Sequence, residues 1–393
     1  MKKTKEIVNK KRKICFVITS PIHYSRNIFV LEELNKRPDV DLHVVVSGSA
    51  LLSKYLSKFS DIETLLRNDG IKNIYEAYFY LDGDKPVCKA KTTGLGVIEF
   101  SSVFNDMKPD VVVVRGDRFE VLAASIAATY LNIPIAHIEG GDLSGTIDES
   151  VRHSITKIAH IHFTTNEPSK ERVIRMGENP EYVFNYGSPD VEVVGRLSTK
   201  KEEIIHETGS GHLVDYNKPY LMVMYHPVTT ELSKIRENTK QLIGAIKEID
   251  MPTVWFWPNV DTGSEEIAHE LRRFRDENPD NKVRFMRYLP PKMFLSVLGG
   301  ASVLVGNSSA GIKECSYLGK PVVNLGTRQN SRLKADNVVD VSCDRGKIVK
   351  AIRNQLKIGK YKPSKIYSIK DTGKKIARTL ATVPLYIQKK FCE

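Results

Sequence analysis

The chain has 393 residues, of which 41% are hydrophobic and 27% are charged, a balance typical of a globular protein with room for two domains. No apolar run reaches the roughly 18 residues that a bilayer-spanning helix needs, and the N-terminus lacks the apolar segment of a secretory signal. We therefore expect a cytoplasmic protein that does not enter a membrane.

The formal net charge is +12, and much of the excess lies near the two ends of the chain. Basic runs of this kind are usually solvated, and no basic segment interleaved with aromatic residues is present, so we predict no nucleic-acid partner. A positive field instead favours an anionic small molecule. The five cysteines are scattered without the spacing of a metal site, and we expect neither a metal nor a redox cofactor.

Strand-like and helix-like segments alternate along the chain, as in doubly wound α/β domains with parallel sheets. After a basic leader over residues 1–12, a first domain is predicted over 13–188 and a second over 189–368. The predicted strands are 13–19, 41–46, 74–80, 111–114, 133–138, 183–186, 220–225, 253–257 and 301–305. The predicted helices are 26–36, 92–107, 231–249, 264–275 and one that begins near Ala310.

The most informative polar region follows the valine strand 111–114. This strand leads into Asp117, the next buried strand leads into Glu139, and Asp148 opens the following helix. Because the carboxyl ends of parallel strands meet at one edge of a sheet, we expect these three carboxylates to lie together as groups for proton transfer. Four basic side chains accompany them and are expected to contact the substrate: Arg115, Arg118, His137 and Arg152.

Each acid taken alone also has a structural interpretation. Thr146 fits the first position of a helix-capping box, and an aspartate at a helix start, such as Asp148, is favoured by the helix dipole. Asp117 equally suits a helix cap, and Glu139 suits a loop acid paired with Arg118. The spacing of the three acids, taken together, favours the functional interpretation.

A second polar turn, GNSSAGIKE over residues 306–314, lies between a buried strand and a helix. Small residues let the backbone approach a phosphate, and Ser308 and Ser309 add hydroxyl donors beside the helix N-terminus. Glu314 can accept hydrogen bonds from two ribose hydroxyls. A plain strand-to-helix connection capped by serine is the alternative.

His226 ends another buried strand, directly before a proline. A histidine in such a place is often only a hydrogen-bonded structural group. His226 also opens the loop that follows this strand, so a functional role is the alternative.

The strings GDRF, HIEGGDLSGTIDESVRH, YHPVTTE, GNSSAGIKE and NLGTRQ resemble the hydrolysing UDP-N-acetylglucosamine 2-epimerases. That family includes enzymes of bacterial sialic-acid and legionaminic-acid pathways, and the resemblance covers residues 13–391. It implies a glycosyltransferase-B fold, in which two Rossmann-like domains face a cleft. It also implies a C-terminal helix over 369–393 that returns to the first domain, and a homodimer or homotetramer.

The resemblance also implies roles for residues that match the family's motifs. Ser308 and Ser309 match serines that hold the diphosphate, Glu314 matches the acid that holds the ribose, and His226 matches a histidine on the diphosphate. Further places near the UDP-sugar are implied for Arg115, Asn259, Asp261, Tyr288 and Arg328, with Tyr288 facing the uracil.

The implied reaction converts UDP-N-acetylglucosamine and water to N-acetylmannosamine and UDP through a 2-acetamidoglycal. Asp117, Glu139 and Asp148 are the expected acids and bases, and the pattern H-x-E-G-G-x-x-S-G-T-I-D resembles the hydrolysing branch. The alternatives are the same chemistry on a UDP-2,4-diacetamido-2,4,6-trideoxy sugar and a non-hydrolysing epimerase. A glycosyltransferase or a UDP-sugar-binding protein would be an alternative of another class.

One segment departs from the family's pattern. Relatives usually carry R-A-D-Y after the first strand, where this chain has Pro21, Ile22, His23 and Tyr24. The lost arginine would lie near the diphosphate, and Arg26 is the candidate to replace it.

Overall fold

The computed structural model describes residues 10–52, 61–197 and 209–393 of the chain. Most of the predicted basic leader, residues 1–12, lies outside these ranges. The first strand already begins at Arg12.

The first half of the chain forms a parallel sheet whose strand order is β3-β2-β1-β4-β5-β6-β7. Strand β4 shows why the sheet is buried on both faces, since Val111 and Val113 enter one core and Val112 and Val114 enter the other. The strands described here are β1 (Arg12–Ile18), β2 (Val40–Ser47), β3 (Asn73–Ala77), β4 (Val111–Arg115), β5 (Ile135–Ile138), β6 (Ile161–Thr164) and β7 (Val183–Asn185).

Helices connect these strands and cover the sheet. The first of them begins at Pro21, earlier than the predicted residue 26, because proline is well suited to the first position of a helix. The helices are α1 (Pro21–Asn35), α2 (Ile62–Asn68), α3 (Pro86–Met107), α4 (Phe119–Tyr130), α5 (Ile147–Ile158), α6 (Glu167–Arg175) and α7 (Pro189–Leu197), with single 3-10 turns at Gly48–Leu51 and Pro180–Tyr182.

The second half repeats this strand order without repeating the sequence. Its strands are β8 (Ser210–Gly211), β9 (Leu221–Met224), β10 (Thr253–Phe256), β11 (Val283–Met286), β12 (Val303–Gly306), β13 (Val322–Leu325) and β14 (Val338–Val341). The sheet order is β14-β13-β12-β9-β10-β11-β8, in which β8 pairs antiparallel and the other pairs are parallel. The order β11-β10-β9-β12-β13-β14 in this sheet corresponds to the order β3-β2-β1-β4-β5-β6 in the first sheet. Both are the Rossmann order.

The helices of the second half are α8 (Ile235–Ile249), α9 (Ser264–Glu277), α10 (Pro291–Gly300), α11 (Ser309–Ile312), α12 (Glu314–Leu318) and α13 (Arg345–Ile358), with a 3-10 turn at Leu232–Lys234. Helix α7 contacts α1 in the first half and α10 and α12 in the second. We keep the proposed domain boundary at residue 188, with α7 as the helix that joins the halves.

A last helix, α14 (Thr372–Thr382), packs against α1 and buries Ile376 and Leu380 in the core of the first half. The prediction of a helix over 369–393 was wrong in its extent. Pro384 has no backbone N–H and favours an extended conformation in the residue before it, and Val383 is extended. Within the described ranges, no helix is both long and apolar enough to cross a membrane.

The two sheets have equivalent points at which the strand order changes direction, between β1 and β4 and between β9 and β12. Ligands of open α/β sheets bind at the carboxyl ends of strands at such points. The turns that follow β1, β4, β9 and β12 all contribute residues to one cleft between the halves.

Candidate active site

The cleft between the two halves has a volume of about 300 Å³, and its walls come from both sheets. The predicted site residues that line it are Asp117, Arg118, Glu139, Asp148, Arg152, His226, Asn259, Tyr288, Ser308, Ser309, Glu314 and Arg328. Arg115, His137 and Asp261 lie outside this lining. In the described part of the chain, no group of three or more His, Cys, Asp and Glu side chains is arranged to hold a metal ion.

Asp117 reaches the cleft from the turn that follows β4. Gly116 makes this turn possible, since its φ of +78° is readily adopted only by glycine. The Asp117 carboxylate forms an ion pair with Arg152 of α5, which is buried and also donates a hydrogen bond to the backbone oxygen of Asp142 at 2.9 Å. Asp117 is therefore held at the cleft wall by a guanidinium that is itself fixed.

Glu139 follows β5 with a φ of +71°, a conformation that costs free energy in residues other than glycine. Its Oε1 atom lies 3.1 Å from Arg115 Nη2 and forms an ion pair with Lys313. Among the described residues its ion-pair partners are Arg115 and Lys313, whereas the loop-acid interpretation paired it with Arg118. Burial opposes its ionisation, but Arg115, Lys313 and Arg26 hold the pKa of Glu139 well below its ordinary value.

Arg115 lies behind Glu139 and is 1% exposed. It also forms an ion pair with Asp190 of α7, which in turn lies 3.6 Å from Arg26 Nε. Arg115 is thus placed to hold Glu139, and its place near the phosphate or sugar of the substrate stays a prediction.

Asp148 stands at the start of α5, where Thr146 Oγ1 accepts a hydrogen bond from the Asp148 backbone N–H at 3.3 Å. Thr146 therefore caps the helix, which leaves the carboxylate of Asp148 free to face the cleft. Its Oδ2 atom lies 3.9 Å from Arg328 Nη2, and the same nitrogen lies 3.7 Å from Asp261 Oδ2.

Asp148 and Asp261 belong to opposite halves and share this one arginine. Burial, and then the neighbouring Asp261 carboxylate, raise the pKa of Asp148. Burial acts on Asp261 in the same sense, but Arg118 and Arg328 outweigh it and lower the pKa of Asp261. The pair therefore combines a carboxyl that is easily protonated with one that stays ionised.

His226 follows β9 at the opposite wall. Its Nδ1 atom accepts a hydrogen bond from the Asn259 backbone N–H at 3.2 Å, so the ring hydrogen of the neutral form lies on Nε2. Asn307 bonds both the backbone N–H and the backbone oxygen of His226, each at 2.8 Å. Burial, and then Arg328, lower its pKa to about 3, which makes His226 a neutral hydrogen-bond donor.

The turn after β12 approaches β9 closely at Gly306. A Cβ atom there would lie 2.0 Å from the backbone oxygen of Met224, so no larger residue fits without movement. Ser308 Oγ caps the next helix by accepting from Ala310 N–H at 3.3 Å. The helix predicted from Ala310 is interrupted at Lys313, which separates α11 from α12 and reduces any contribution of a helix dipole.

Arg26 reaches this turn from α1, across the cleft. Its Nη2 atom lies 3.2 Å from Ser309 Oγ and 3.1 Å from Glu314 Oε1. A guanidinium of the first half therefore stands at the predicted diphosphate and ribose site. Pro21 and His23 also line the cleft, and burial, followed by the nearby arginines, lowers the pKa of His23 well below its ordinary value, so its ring is neutral.

The remaining predicted residues complete the walls. Arg118 binds both carboxylate oxygens of Glu120 at 3.0 Å and lies 3.4 Å from Asp261 Oδ1. The side-chain amide of Asn259 donates to Asp261. Tyr288 OH lies 2.9 Å from Ser25 Oγ, so this pair bridges the halves.

His137 does not reach the cleft. Its Nε2 atom lies 2.8 Å from the backbone oxygen of Gly116, and its Nδ1 atom lies 3.1 Å from Thr156 Oγ1. Both ring nitrogens therefore have partners within the protein. In place of the predicted contact with substrate, we assign His137 the structural role of holding the turn that carries Asp117.

Two buried charged residues that line the cleft, Lys313 and Asp190, were not predicted. Lys313 lies within the quoted string GNSSAGIKE, but a lysine on an apolar-periodic segment ordinarily points to solvent. Asp190 follows a proline at the start of α7, where an acid is expected for the helix dipole alone. Only the packing of the two halves shows that both side chains are buried beside Glu139.

The family model for UDP-N-acetylglucosamine 2-epimerase matches residues 32–381. The chain belongs to this epimerase family. A hydrolysing UDP-N,N'-diacetylbacillosamine 2-epimerase of Legionella pneumophila is 34% identical over 96% of this chain and 97% of its own. A UDP-N-acetylglucosamine 2-epimerase of Neisseria meningitidis is 30% identical over 87% of each chain.

Solved epimerase structures share the fold. The Methanocaldococcus jannaschii UDP-GlcNAc 2-epimerase in complex with UDP-GlcNAc and UDP gives a TM-score of 0.76 at 20% identity, over 94% of this chain and 99% of that one. The Neisseria meningitidis enzyme bound to UDP-GlcNAc gives 0.73 at 18% identity with the same coverage. The predicted epimerase family and the predicted arrangement of two Rossmann-like domains around a cleft are confirmed.

Proposed function

We propose that this chain is a hydrolysing 2-epimerase, which converts a UDP-2-acetamido sugar and water to UDP and the free sugar with inverted configuration at C2. The observation that supports this most is the convergence of Asp117, Glu139 and Asp148 on one cleft, opposite a turn suited to a nucleotide diphosphate. The relative of Legionella pneumophila, whose name includes hydrolysis, supports the hydrolysing outcome.

In the first step, the bond from the anomeric carbon C1 to the UDP oxygen breaks. The neutral His226 Nε2–H, Arg26 and the hydroxyl of Ser309 are placed to stabilise the charge on the leaving diphosphate. As C1 gains oxocarbenium character, the proton on C2 becomes acidic, so even a weakly basic carboxylate removes it. Glu139, which is held ionised, takes this proton and leaves a 2-acetamidoglycal.

In the second step, water adds across the C1–C2 double bond. Asp148, whose pKa is raised, gives a proton to C2 from the face opposite to the one that lost it. Asp117, oriented by Arg152, accepts a proton from the water as its oxygen bonds to C1. The product is the free C2 epimer, and the protons on Glu139 and Asp117 return to solvent or to Asp148.

For the sugar, we propose a UDP-2,4-diacetamido-2,4,6-trideoxy substrate, with UDP-N-acetylglucosamine as the second candidate. The support for the first is the 34% identity over 96% of the chain to a diacetylbacillosamine epimerase, against 30% over 87% for an enzyme of UDP-N-acetylglucosamine. Either product belongs to the precursors of sialic-acid-like sugars. A homodimer or homotetramer remains our expectation for the assembly.

Proton NMR in D₂O, with each UDP-sugar in turn, tests the reaction. We expect UDP and a free sugar of inverted configuration that carries deuterium at C2. A UDP-sugar that keeps its nucleotide but is epimerised would support the non-hydrolysing alternative instead. Absence of reaction with both sugars would contradict the proposal and favour a transferase or a binding protein.

A further inference from the structure

Lys313 joins the two halves at the wall of the cleft. It lies on the turn of the second half, between Ser309 and Glu314, yet it is 2% exposed. Its Nζ atom forms an ion pair with Glu139 and lies 3.4 Å from Asp142 Oδ2. A buried ammonium group is costly unless carboxylates surround it, and those carboxylates belong to the first half.

The surroundings of Glu139 show what Lys313 adds. The titratable and charged groups that face it are His23 and Arg26 of α1, Arg115 of β4, His137 of β5, Asp142 of the following loop, Asp190 of α7, Tyr367, and Lys313 of the second half. Arg115 is shared with Asp190. Without Lys313, Glu139 would keep this shared arginine and Arg26, which makes no ion pair with it. Asp142 and Asp190 would remain nearby, and protonation of Glu139 would relieve the repulsion between the carboxylates.

We propose that Lys313 is a positioning residue that orients the Glu139 carboxylate and keeps it ionised while the two halves are together. Because the same turn carries Ser308, Ser309 and Glu314, the segment suited to the nucleotide also brings the cation to the proton acceptor. The closed cleft and the charged state of Glu139 are thus coupled through one side chain. The identity of Glu139 as proton acceptor rests on the proposed function, whereas its ionisation by Lys313 does not.

The ionisation of Glu139 is tested on the full chain by labelling glutamate carboxyl groups with ¹³C and measuring their NMR resonances as a function of pH. The resonance of Glu139 is assigned by its loss in Glu139→Gln. In Lys313→Met and Lys313→Gln we expect the midpoint of this resonance to move to higher pH, whereas Lys313→Arg keeps it low. Lys313→Gln preserves a hydrogen-bond donor and is the second variant if Lys313→Met does not fold. An unchanged midpoint in either neutral variant overturns the proposal.

The control is Lys320→Met, since Lys320 is a half-buried lysine of the second half that donates to the backbone oxygen of Ala301, away from the cleft. In kinetics, we expect the neutral Lys313 variants to lose roughly 10-fold or more in kcat at pH 6, to recover at pH 8, and to keep KM within about threefold. A loss that is equal at every pH would overturn the charge role. If the unmodified protein is inactive on both sugars, the proposed function fails, and the NMR midpoint still decides the role of Lys313.

Discussion

Glu139 combines an unfavourable backbone angle, two cationic partners and a place in the cleft wall. A residue is kept in such a conformation only where its surroundings stabilise it, and these positions cluster at functional sites. We expect Glu139→Gln, which preserves the shape of the side chain, to lower kcat for UDP release by about 10²- to 10⁴-fold. A coupled assay for UDP measures this.

The matched control for this experiment is Glu265→Gln, which removes an exposed carboxylate paired with Arg272 outside the cleft. Its rate should equal that of the unmodified chain. If Glu139→Gln also turns over at the full rate, Glu139 is not the proton acceptor.

The raised pKa of Asp148 gives a pH dependence with a definite sign. A proton donor is lost as the pH rises through its pKa in the folded protein, so the rate should fall on the alkaline side. Removing the neighbouring negative charge by Asp261→Asn lowers the pKa of Asp148, and Arg328 is then free to lower it further. We expect the alkaline limb of the kcat/KM profile to move to lower pH.

Profiles of both proteins under one buffer series measure this shift. A limb that stays in place in Asp261→Asn, with activity retained, would remove Asp148 from the role of donor. A uniform loss would instead indicate that Asp261 acts by holding Arg118 and Arg328.

Among single residues, the sequence predicted correctly the position of those that directly follow a strand. Asp117 and Glu139 could be placed at one sheet edge because buried valine and isoleucine runs precede them. Lys313 and Asp190 could not be found in this way, because their burial results from packing between halves that are distant in sequence. His137 was given a substrate contact because no spacing pattern reports that both ring nitrogens already have partners.

Among the helices, α9 has a cap that comes from the other half of the protein. Asp84 Oδ1 accepts from the backbone N–H groups of Gly263 and Ser264 at 2.9 and 3.1 Å, and from Ser264 Oγ at 3.2 Å. We expect Asp84→Ala to lower the free energy of unfolding by about 0.5–2 kcal/mol, since an N-terminal cap is lost. Urea denaturation measures the change.

Asp280→Ala is the control, because Asp280 is an exposed aspartate of the second half that lies in a turn before a strand and caps no helix. Equal stability of Asp84→Ala and the unmodified chain would show that water replaces the cap at no cost. An increase in KM for the UDP-sugar in Asp84→Ala would further indicate that this bond helps to keep the cleft closed.

The order of elements could be predicted because alternating strand and helix periods leave few arrangements other than doubly wound sheets. The ends of the helices were harder to predict from the sequence. Helix α1 begins at a proline that pattern reading assigned to a loop, and the last helix stops before Pro384. The separation of α11 from α12 at Lys313 leaves no mark in the sequence, because the break accompanies an ion pair to the other half.

Considered as a whole, the molecule is two similar sheets joined by helix α7 and by polar contacts across a cleft. Arg26 of α1 contacts Ser309 and Glu314, so a UDP bound at that turn would meet groups from both halves. Ligands that bind only the folded state stabilise it by about 2.7 kcal/mol at 100 times their Kd. We expect UDP to raise the melting temperature, and Arg26→Gln to reduce this increase.

The unmodified chain and Arg26→Gln are compared by the increase in melting temperature that UDP causes in each, and not by the melting temperature itself. Arg37→Gln is the control, because Arg37 follows the same helix but pairs with Asp39 away from the cleft. An equal increase in Arg26→Gln and the unmodified chain would contradict a role for Arg26 at the diphosphate.

The packing of the C-terminal residues on the first half bears on how the protein is made. Ile376 and Leu380 complete the core around α1, and Phe391 lies over Gly177. These residues are translated after the whole second half, so the domain whose strands are translated first completes its core only after the second half has been made. Until then, the apolar face of α1 stays uncovered in the nascent chain, and a premature stop codon before residue 372 would make that exposure permanent.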